Sequence, residues 1–417
     1  MSDAGIVVTG LGALSALGRG VGALADGLKA GRSGIVRSER LGLAAGELGA
    51  FALGTALQAL PACPAPLREK ARRAALRAPL PVETSVFAAV EAWLDAGLHS
   101  AELPPERLGL VVAGSNLSQR YQFEMAAKLA ADGPEFLDPR YATRFLDTDH
   151  VGVVSEVLGI RGEGFTVGGA SASGNVAILK AWQLLRLGDV DACVVVAPVA
   201  DLSPLELHAL RNVGALGGAG DVKPEEACRP FDRQRGGFIL GQGAAALVLE
   251  RRDSARRRGA TVHATLAGAS LVLSASHLPS PDVAGEAAAM RRALAQAGVP
   301  PEAVDYVNAH ATASAAGDEV EVQALREVFG GHVAGMWINS TKGLTGHCLY
   351  AAGVLECVAT VVQMKQGFVH PSANLHEPID AECRFCGRES APARIGVALS
   401  NAFGFGGINT SVVLRAE

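Results

Sequence analysis

Strand-like and helix-like segments alternate along most of this chain, and this alternation constrains its fold more than any other feature. Continuous β-branched runs such as DACVVVAPVA are typical of strands that are buried on both faces. Helical periodicity lies between such runs, for example in residues 173–187. This pattern predicts an α/β fold in which helices cover parallel or mixed sheets. The alternation repeats in the second half, so we expect two similar halves, 1–255 and 256–417, and not two unrelated domains.

Composition excludes several classes of function. The formal net charge of -5 gives no general attraction to nucleic acid or anionic membrane, and aromatic residues make up 5% of the chain. No apolar run reaches the length of a membrane span, and MSDAGIVVTG lacks the features of a signal peptide. We therefore expect a cytoplasmic protein with neither nucleic acid nor membrane as a partner. Cys383 and Cys386 form a single C-x-x-C pair, which favours buried or surface thiols over zinc, and we predict no metal site.

The N-terminal segment GIVVTGLGALSALG is rich in glycine. It predicts a strand from Ile6 to Thr9 followed by a glycine-rich turn. The spacing of Gly10, Gly12 and Gly18 does not match the dinucleotide-binding pattern G-x-G-x-x-G. We therefore interpret these glycines as a sign of tight packing between a strand and a helix.

Four segments place polar or glycine residues directly after a predicted buried strand or before a helix. They contain Ser171, His310, the pair Lys342 and His347, and the glycine loop at 400–409. In α/β folds the loops that follow strand ends build the active site. Each segment alone is weak evidence, since a lone histidine is more often structural than catalytic.

Together and in this order, the segments resemble motifs of the β-ketoacyl synthases, the condensing enzymes of fatty-acid and polyketide synthesis. The motifs are IVVTGLGALSALGRG, CRPFDRQRGGFILGQGAAALVLE, NAHATAS, STKGLTGHCLYAAGVLE and LSNAFGFGGIN. Gln242 stands where the family usually has glutamate, and Ala311 replaces a usual glycine. The resemblance implies the thiolase fold, a pseudo-duplicated five-layer αβαβα sandwich, and a homodimer. The cysteine nucleophile of the family falls on Ser171 in GGASASGN.

The resemblance also implies roles for the other residues. His310 and His347 would donate hydrogen bonds to a thioester oxygen, and Lys342 would tune the pair electrostatically. The backbone N–H groups of Ser171 and Phe405 would match the family's oxyanion hole, with Phe405 also its mobile gate. Side chains expected to bind the phosphopantetheine arm of an acyl carrier protein are Thr312 and Ser314. No cofactor of the protein's own is implied.

Replacing cysteine by serine changes the expected chemistry. A thiol ionises near pH 8.5 and more readily at a helix N-terminus, whereas a serine hydroxyl needs a base to attack. The histidines that stabilise the enolate formed by decarboxylation are present, but the usual acyl acceptor is altered. This combination resembles the ketosynthase-like decarboxylases of polyketide β-branching cassettes, which convert malonyl-carrier protein to acetyl-carrier protein. Other polyketide synthase enzymes would then be pathway partners.

Two other functions remain open from the sequence. The chain could be a non-catalytic, chain-length-factor-like partner of a ketosynthase, although such proteins usually lose the histidines as well. It could also be a condensing enzyme that uses Ser171 as acyl acceptor. The basic stretches REKARR and RRDSARRR are either solvated faces or docking patches for an acidic carrier protein.

Overall fold

A mixed β-sheet runs through the computed structural model, which describes residues 5–218 and 222–417. The strands, including short ones outside the main sheet, are β1 (Ile6–Ser15), β2 (Gly18–Arg19), β3 (Ile35–Ser38), β4 (Leu43–Gly46), β5 (Leu108–Ala113), β6 (Gly164–Val167), β7 (Ala192–Ala197), β8 (Leu240–Gly241), β9 (Gly243–Arg251), β10 (Ala264–Leu273), β11 (Tyr306–Asn308), β12 (Trp337–Asn339), β13 (Phe368–Val369), β14 (Ala391–Pro392), β15 (Val397–Gly404) and β16 (Ile408–Arg415).

Helices cover this sheet and fill the space between its halves. They are α1 (Val21–Lys29), α2 (Leu53–Gln58), α3 (Ala65–Ala74), α4 (Leu80–Asp95), α5 (Gln119–Asp132), α6 (Tyr141–Arg144), α7 (Thr148–Leu158), α8 (Ser173–Leu187), α9 (Pro204–Asn212), α10 (Arg252–Arg257), α11 (Val283–Ala297), α12 (Ala315–Phe329), α13 (Lys342–Thr345) and α14 (Ala352–Gln366). The helix expected at residues 173–187 is thus confirmed as α8.

The main sheet repeats one topology twice. Its order is β12-β11-β15-β16-β10-β1-β9-β7-β5-β6, with β2 beside β1. In each half the first and last strands pair antiparallel, as β1 does with β9 and β10 with β16. Strand β7 also pairs antiparallel with β9, and β15 with β16, whereas the outer pairs of each half are parallel. The halves join where residues 6–8 of β1 pair with β10.

The helices form three layers around the two half-sheets. Helices α4 and α7 pack on the outer face of the first half, and α11 and α12 cover the second. Helices α8 and α14 lie between the halves and contact strands of both. Separate apolar clusters fill the spaces beneath the outer helices and around the central pair. The predicted five-layer α/β sandwich is confirmed.

The first strand is longer than the sequence pattern predicts. The chain does not turn after Thr9 but continues as β1 to Ser15. A Cβ atom on Gly10 or Gly12 would lie 2.1 Å from a carbonyl oxygen of α4. These glycines therefore allow the backbone of α4 to pack directly on the strand. The predicted turn is wrong, whereas the predicted tight packing of strand on helix is confirmed.

The central helices α8 and α14 approach each other closely near their N-terminal ends. A Cβ atom on Gly174 would lie 2.6 Å from the backbone nitrogen of Val354, and one on Gly353 would lie 2.7 Å from that of Asn175. Side chains at these two positions would force the helices apart. The glycines thus bring together the segments just before α8 and α14, which carry Ser171 and His347.

Candidate active site

Ser171 lies in a tight turn between β6 and α8. The preceding residue, Ala170, has a φ of 48°, in the left-handed region where a residue with a Cβ atom is strained. The N–H of Gly169 donates to the Ser173 hydroxyl over 2.9 Å, and this hydroxyl donates to the Ala170 carbonyl over 2.7 Å. These bonds hold Ser171 at the N-terminal end of α8, where the helix dipole favours negative charge.

Ser171 contacts one of the two predicted histidines directly. Its Oγ lies 2.9 Å from Nε2 of His347. The imidazole rings of His347 and His310 are 5.5 Å apart between centroids and nearly perpendicular, at 85°. Ser171 and both histidines therefore form one constellation, as the sequence predicts.

Both imidazoles are held in the neutral form. Burial, and then the positive charge of Lys342, lower the pKa of His310 and His347 well below the usual value. Within the described part of the chain, the Nδ1 atom of neither ring has a hydrogen-bond partner. Each ring can therefore donate one hydrogen bond, and none of the described carboxylates orients His347 through Nδ1 as in a Ser-His-Asp triad.

Lys342 acts on the histidines from inside the protein. Its side chain is fully buried, and its Nζ lies 2.6 Å from Oε1 of Glu356. Burial raises the pKa of Glu356 to about 7, although Lys342 acts in the opposite direction. Asn308 donates to the other oxygen of Glu356 over 3.2 Å. Because Lys342 does not border the cavity described below, its effect on the reaction is electrostatic.

Glu321 supports the His310 loop, a role that the sequence analysis missed. Its carboxylate accepts the backbone N–H groups of His310, over 2.9 Å, and of Ala311, over 2.7 Å. Asn401 donates to the same carboxylate over 3.1 Å. The sequence did contain a sign of this role. Glu321 is an acid at a position of α12 where helical periodicity predicts a buried apolar residue. Glu356, on α14, was missed in the same way.

The glycine loop after β15 closes over the Ser171 turn. A Cβ atom on Gly404 would lie 2.4 Å from the carbonyl oxygen of Gly169, so the two turns pack backbone against backbone. The Phe405 side chain is 48% exposed and borders the cavity. The expected gating role of Phe405 stays a prediction.

A cavity of about 790 Å³ opens in front of the two histidines. Ser314 caps α12 by accepting the N–H of Gly317 over 3.2 Å, which leaves its own O–H available to donate. Thr312, beside it, is largely buried. The predicted site residues that line the cavity are Ser171, His310, Thr312, Ser314, His347 and Phe405.

The two basic stretches differ in position. Residues 251–258 begin at the C-terminal end of β9, which lies beside Ile6 of β1 and Ala192 of β7. The Ser171 turn follows the opposite ends of the strands in the same half-sheet. Arg258 is also committed to a buried ion pair with Glu250 at 2.6 Å. This stretch is therefore better explained by structure than by docking.

The stretch in α3 lies nearer to the cavity. The Leu76 carbonyl just beyond α3 accepts a bond from Arg144, whose own carbonyl accepts one from Ser118. Gln119, the next residue, lines the cavity. Arg72 and Arg73 on α3 are exposed, and both pair with Glu69.

The described ranges, 5–218 and 222–417, contain neither a candidate metal site nor a candidate membrane span. Cys383 and Cys386 are both buried thiols. These ranges contain no group of three or more His, Cys, Asp or Glu side chains placed to bind a metal ion. Nor do they contain a helix that is both long and apolar enough to span a membrane.

The arrangement favours hydrogen-bond donation over nucleophilic attack. A serine needs a nearby base, but burial and then the charge of Lys342 lower the pKa of His347 and make it a poor one, and among the described residues its Nδ1 has no acidic partner. Two neutral imidazoles beside a cavity can instead stabilise an oxyanion.

Comparison with known proteins agrees with this geometry. The family model "Beta-ketoacyl synthase, N-terminal domain" matches residues 3–255, and the corresponding C-terminal domain matches residues 263–376. The chain is 39% identical over 411 residues to "Polyketide biosynthesis malonyl-ACP decarboxylase PksF" of Bacillus subtilis (strain 168), covering 98% of this chain and 96% of that protein. It is 31% identical to "3-oxoacyl-[acyl-carrier-protein] synthase 2" of Coxiella burnetii, covering 98% of each chain.

A solved ketosynthase shares the whole fold. The structure described as a type II PKS acyl-carrier protein in complex with its ketosynthase bound to the hexaketide superposes with a TM-score of 0.86. The superposition covers 99% of each chain at 27% identity. The chain therefore belongs to the β-ketoacyl synthase family and has its thiolase fold.

Proposed function

We propose that this protein decarboxylates malonyl-carrier protein to acetyl-carrier protein in polyketide biosynthesis. The observation that carries the proposal is the pair of neutral histidines beside a serine that replaces the nucleophilic cysteine. The similarity to a protein described as a malonyl-ACP decarboxylase supports this assignment.

The histidines act when the carbon–carbon bond breaks. The malonyl group loses carbon dioxide, and the bonding electron pair moves into a thioester enolate. His310 and His347 donate hydrogen bonds to the oxygen on which negative charge grows, and Lys342 adds a positive field behind them. Loss of one such donor typically costs about 10²-fold or more in rate.

Ser171 has a positioning role in this proposal. Its hydroxyl holds His347 through the 2.9 Å contact and forms no acyl-enzyme. Without an acylated nucleophile, the enolate has no electrophile to attack and is protonated to acetyl. Condensation is thereby suppressed while decarboxylation is retained.

The carrier protein delivers the substrate through its phosphopantetheine arm. Thr312 and Ser314 border the cavity where they can hydrogen-bond the arm, and Phe405 gates the site. The basic helix α3 is the docking element we favour, because carrier proteins of this family are acidic. Docking charges act mainly on encounter rate and salt sensitivity.

We also propose a homodimer and a place in a β-branching cassette. Strand β6 ends the sheet, so one of its edges has no partner strand among residues 5–218 and 222–417. Phe165 and Val167 on it are partly exposed apolar side chains. Such an edge suits pairing with a second copy of the chain.

In the proposed β-branching cassette, the acetyl product would serve a partner enzyme that adds an acetyl-derived branch.

Mass spectrometry of malonyl-carrier protein incubated with the purified protein alone tests the function. We expect acetyl-carrier protein, and no β-ketoacyl product when an acyl-carrier protein is added. Unchanged malonyl-carrier protein, with the fold and dimer intact, would favour a chain-length-factor-like partner. Formation of a β-ketoacyl product would favour a condensing enzyme that uses Ser171.

A further inference from the structure

Glu286 on α11 is a buried acid in the wall of the catalytic cavity. Its side chain lines the cavity together with Ser171 and His310, yet the residue is 1% exposed. The Oε2 atom of Glu286 is buried, and it has no hydrogen-bond partner among the described residues. A buried oxygen without a partner costs free energy unless a ligand or a water satisfies it. Because Glu286 lines the cavity, a molecule that enters there can reach this oxygen.

Two neighbouring acids show why Glu286 differs. Asp318 accepts the backbone N–H groups of Phe231, over 2.8 Å, and of Ala313, over 3.1 Å. Glu321 accepts three donors, as described above. Such donors favour the charged form of a carboxyl group.

Glu286 is therefore the member of this group best suited to keep its proton. Burial raises the pKa of all three acids, but backbone donors oppose this effect in Asp318 and Glu321. In Glu286 the neighbouring acids Asp282, Asp318 and Glu321 raise the pKa further, well above its usual value. A carboxyl group kept neutral near neutral pH can serve as a general acid.

We propose that Glu286 is the proton donor that converts the enolate to the acetyl group. This role rests on the proposed decarboxylation. The enolate carbon forms a C–H bond with the proton of the Glu286 carboxyl group, directly or through one water, and the enolate electrons form that bond. Glu286 is left as a carboxylate and takes a new proton from solvent through the open cavity. Overall, the malonyl group, with its carboxylate, and one proton are converted to an acetyl group and carbon dioxide.

The position of Glu286 suits both stages of this transfer. It shares the cavity wall with Phe403, whose ring centroid lies 5.6 Å from that of His310. It is also the fourth residue of α11, so its transient negative charge forms near the positive end of that helix. The acid thus lies in the wall of the same cavity that the two histidines line.

The acids that raise the pKa of Glu286 lie on α12 and at the start of α11. Asp282 caps the same helix, and the adjacent helix α12 contributes Asp318 and Glu321, with Arg235 4.0 Å from Asp318. His310 lines the same cavity. The strands packed against α11 present the uncharged side chains Asn401 and Asn409, and Ser274, just after β10, is also uncharged.

The pH dependence of kcat on malonyl-carrier protein tests the role. For the wild-type protein we expect kcat to fall as pH rises through the pKa of Glu286. Glu286→Gln should lower kcat by about 10²-fold with little change in KM, and this high-pH fall should disappear. Glu286→Asp should retain the fall and part of the rate. Glu206→Gln, the same change on another wall of the cavity, should keep the wild-type profile shape.

Infrared spectroscopy supplies a measurement that does not depend on turnover. The wild-type protein should show a protonated carboxyl group at neutral pH that the Glu286→Gln protein lacks. An unchanged kcat in Glu286→Gln, a lower kcat with the same pH profile, or no infrared difference would overturn this role but not the decarboxylation. A wild-type protein that forms no acetyl-carrier protein would overturn the proposed function, and this role with it.

Discussion

In the proposed function, a single exchange of sulfur for oxygen decides the chemistry at the residue scale. At a helix N-terminus a cysteine thiol is driven toward the thiolate, but a serine hydroxyl stays protonated in the same field. Here the hydroxyl is hydrogen-bonded to a histidine whose pKa is lowered by burial and by Lys342. The same positive field that weakens His347 as a base strengthens its N–H as a donor to an oxyanion.

The histidines and Ser171 should respond differently to truncation. We expect His310→Ala and His347→Ala each to lower kcat for decarboxylation by about 10²-fold or more, because each removes a donor to the enolate oxygen. Ser171→Ala should cost much less, since the backbone N–H at 171 remains and no acyl-enzyme is required. Steady-state turnover of malonyl-carrier protein by the three variants measures the difference.

Ser171→Cys is the matched control for this prediction. Restoring the thiol should let the protein capture acyl groups covalently from acyl-carrier protein, visible as an increase in intact protein mass. An acyl adduct on the wild-type Ser171, combined with complete inactivity of Ser171→Ala, would contradict the positioning role and make the serine a nucleophile.

At the scale of elements, the site depends on how closely two helices approach. The Ser171 turn precedes α8, and His347 precedes α14. The two helices meet at Gly174 and Gly353 with no space for a Cβ atom on either. The hydrogen bond between Ser171 and His347 is therefore a consequence of helix packing between the two halves.

Gly353→Ala tests this dependence. The new Cβ atom would lie 2.7 Å from the backbone nitrogen and the side-chain oxygen of Asn175, so the helices must separate. We expect a loss of about 1–3 kcal/mol in the free energy of unfolding. A displacement of about 1 Å at His347 should lower kcat by up to about 10²-fold. Denaturant unfolding and turnover measure the two effects.

Gly152→Ala is the matched control. Gly152 lies within α7, and a Cβ atom there would have no heavy atom within 4 Å. This substitution should leave activity unchanged and raise the free energy of unfolding by up to about 1 kcal/mol, the usual gain of alanine over glycine in a helix. Equal effects of the two substitutions would refute the close-approach argument.

At the scale of the whole molecule, packing keeps many ionisable groups away from water. His150 is fully buried, with Nδ1 3.0 Å from the Ser85 hydroxyl, and burial lowers its pKa to about 3. As pH falls below the usual histidine pKa near 6.5, the unfolded chain gains a proton there that the folded chain does not. Folding therefore loses stability through His150 as pH falls from about 6.5 toward 3.

His150→Gln isolates this contribution from the effects of other buried groups. Between about pH 7.5 and about pH 5.5, the difference in unfolding free energy between the two proteins should shift by about 1.4 kcal/mol in favour of the variant. Chemical denaturation at both pH values measures the shift. A difference that does not change with pH would show that folding does not lower the pKa of His150.

Local patterns were sufficient to predict much of the molecule. The alternation of strands and helices predicted the α/β class, and hydrophobic periodicity predicted α8. Motif order identified Ser171, His310 and His347 as one site, and the structure places them around one cavity. These predictions succeed because periodicity and short motifs are local properties of the chain.

Contacts between distant segments decided the rest. The glycines of β1 looked like a turn, but α4 uses them as a packing surface. Arg258 looked like part of a docking patch, but it neutralises the buried Glu250. The ion pair of Lys342 with Glu356 and the unpartnered oxygen of Glu286 likewise exist only in the folded chain. Burial and hydrogen-bond partners set whether each group is charged, and both depend on which elements pack together.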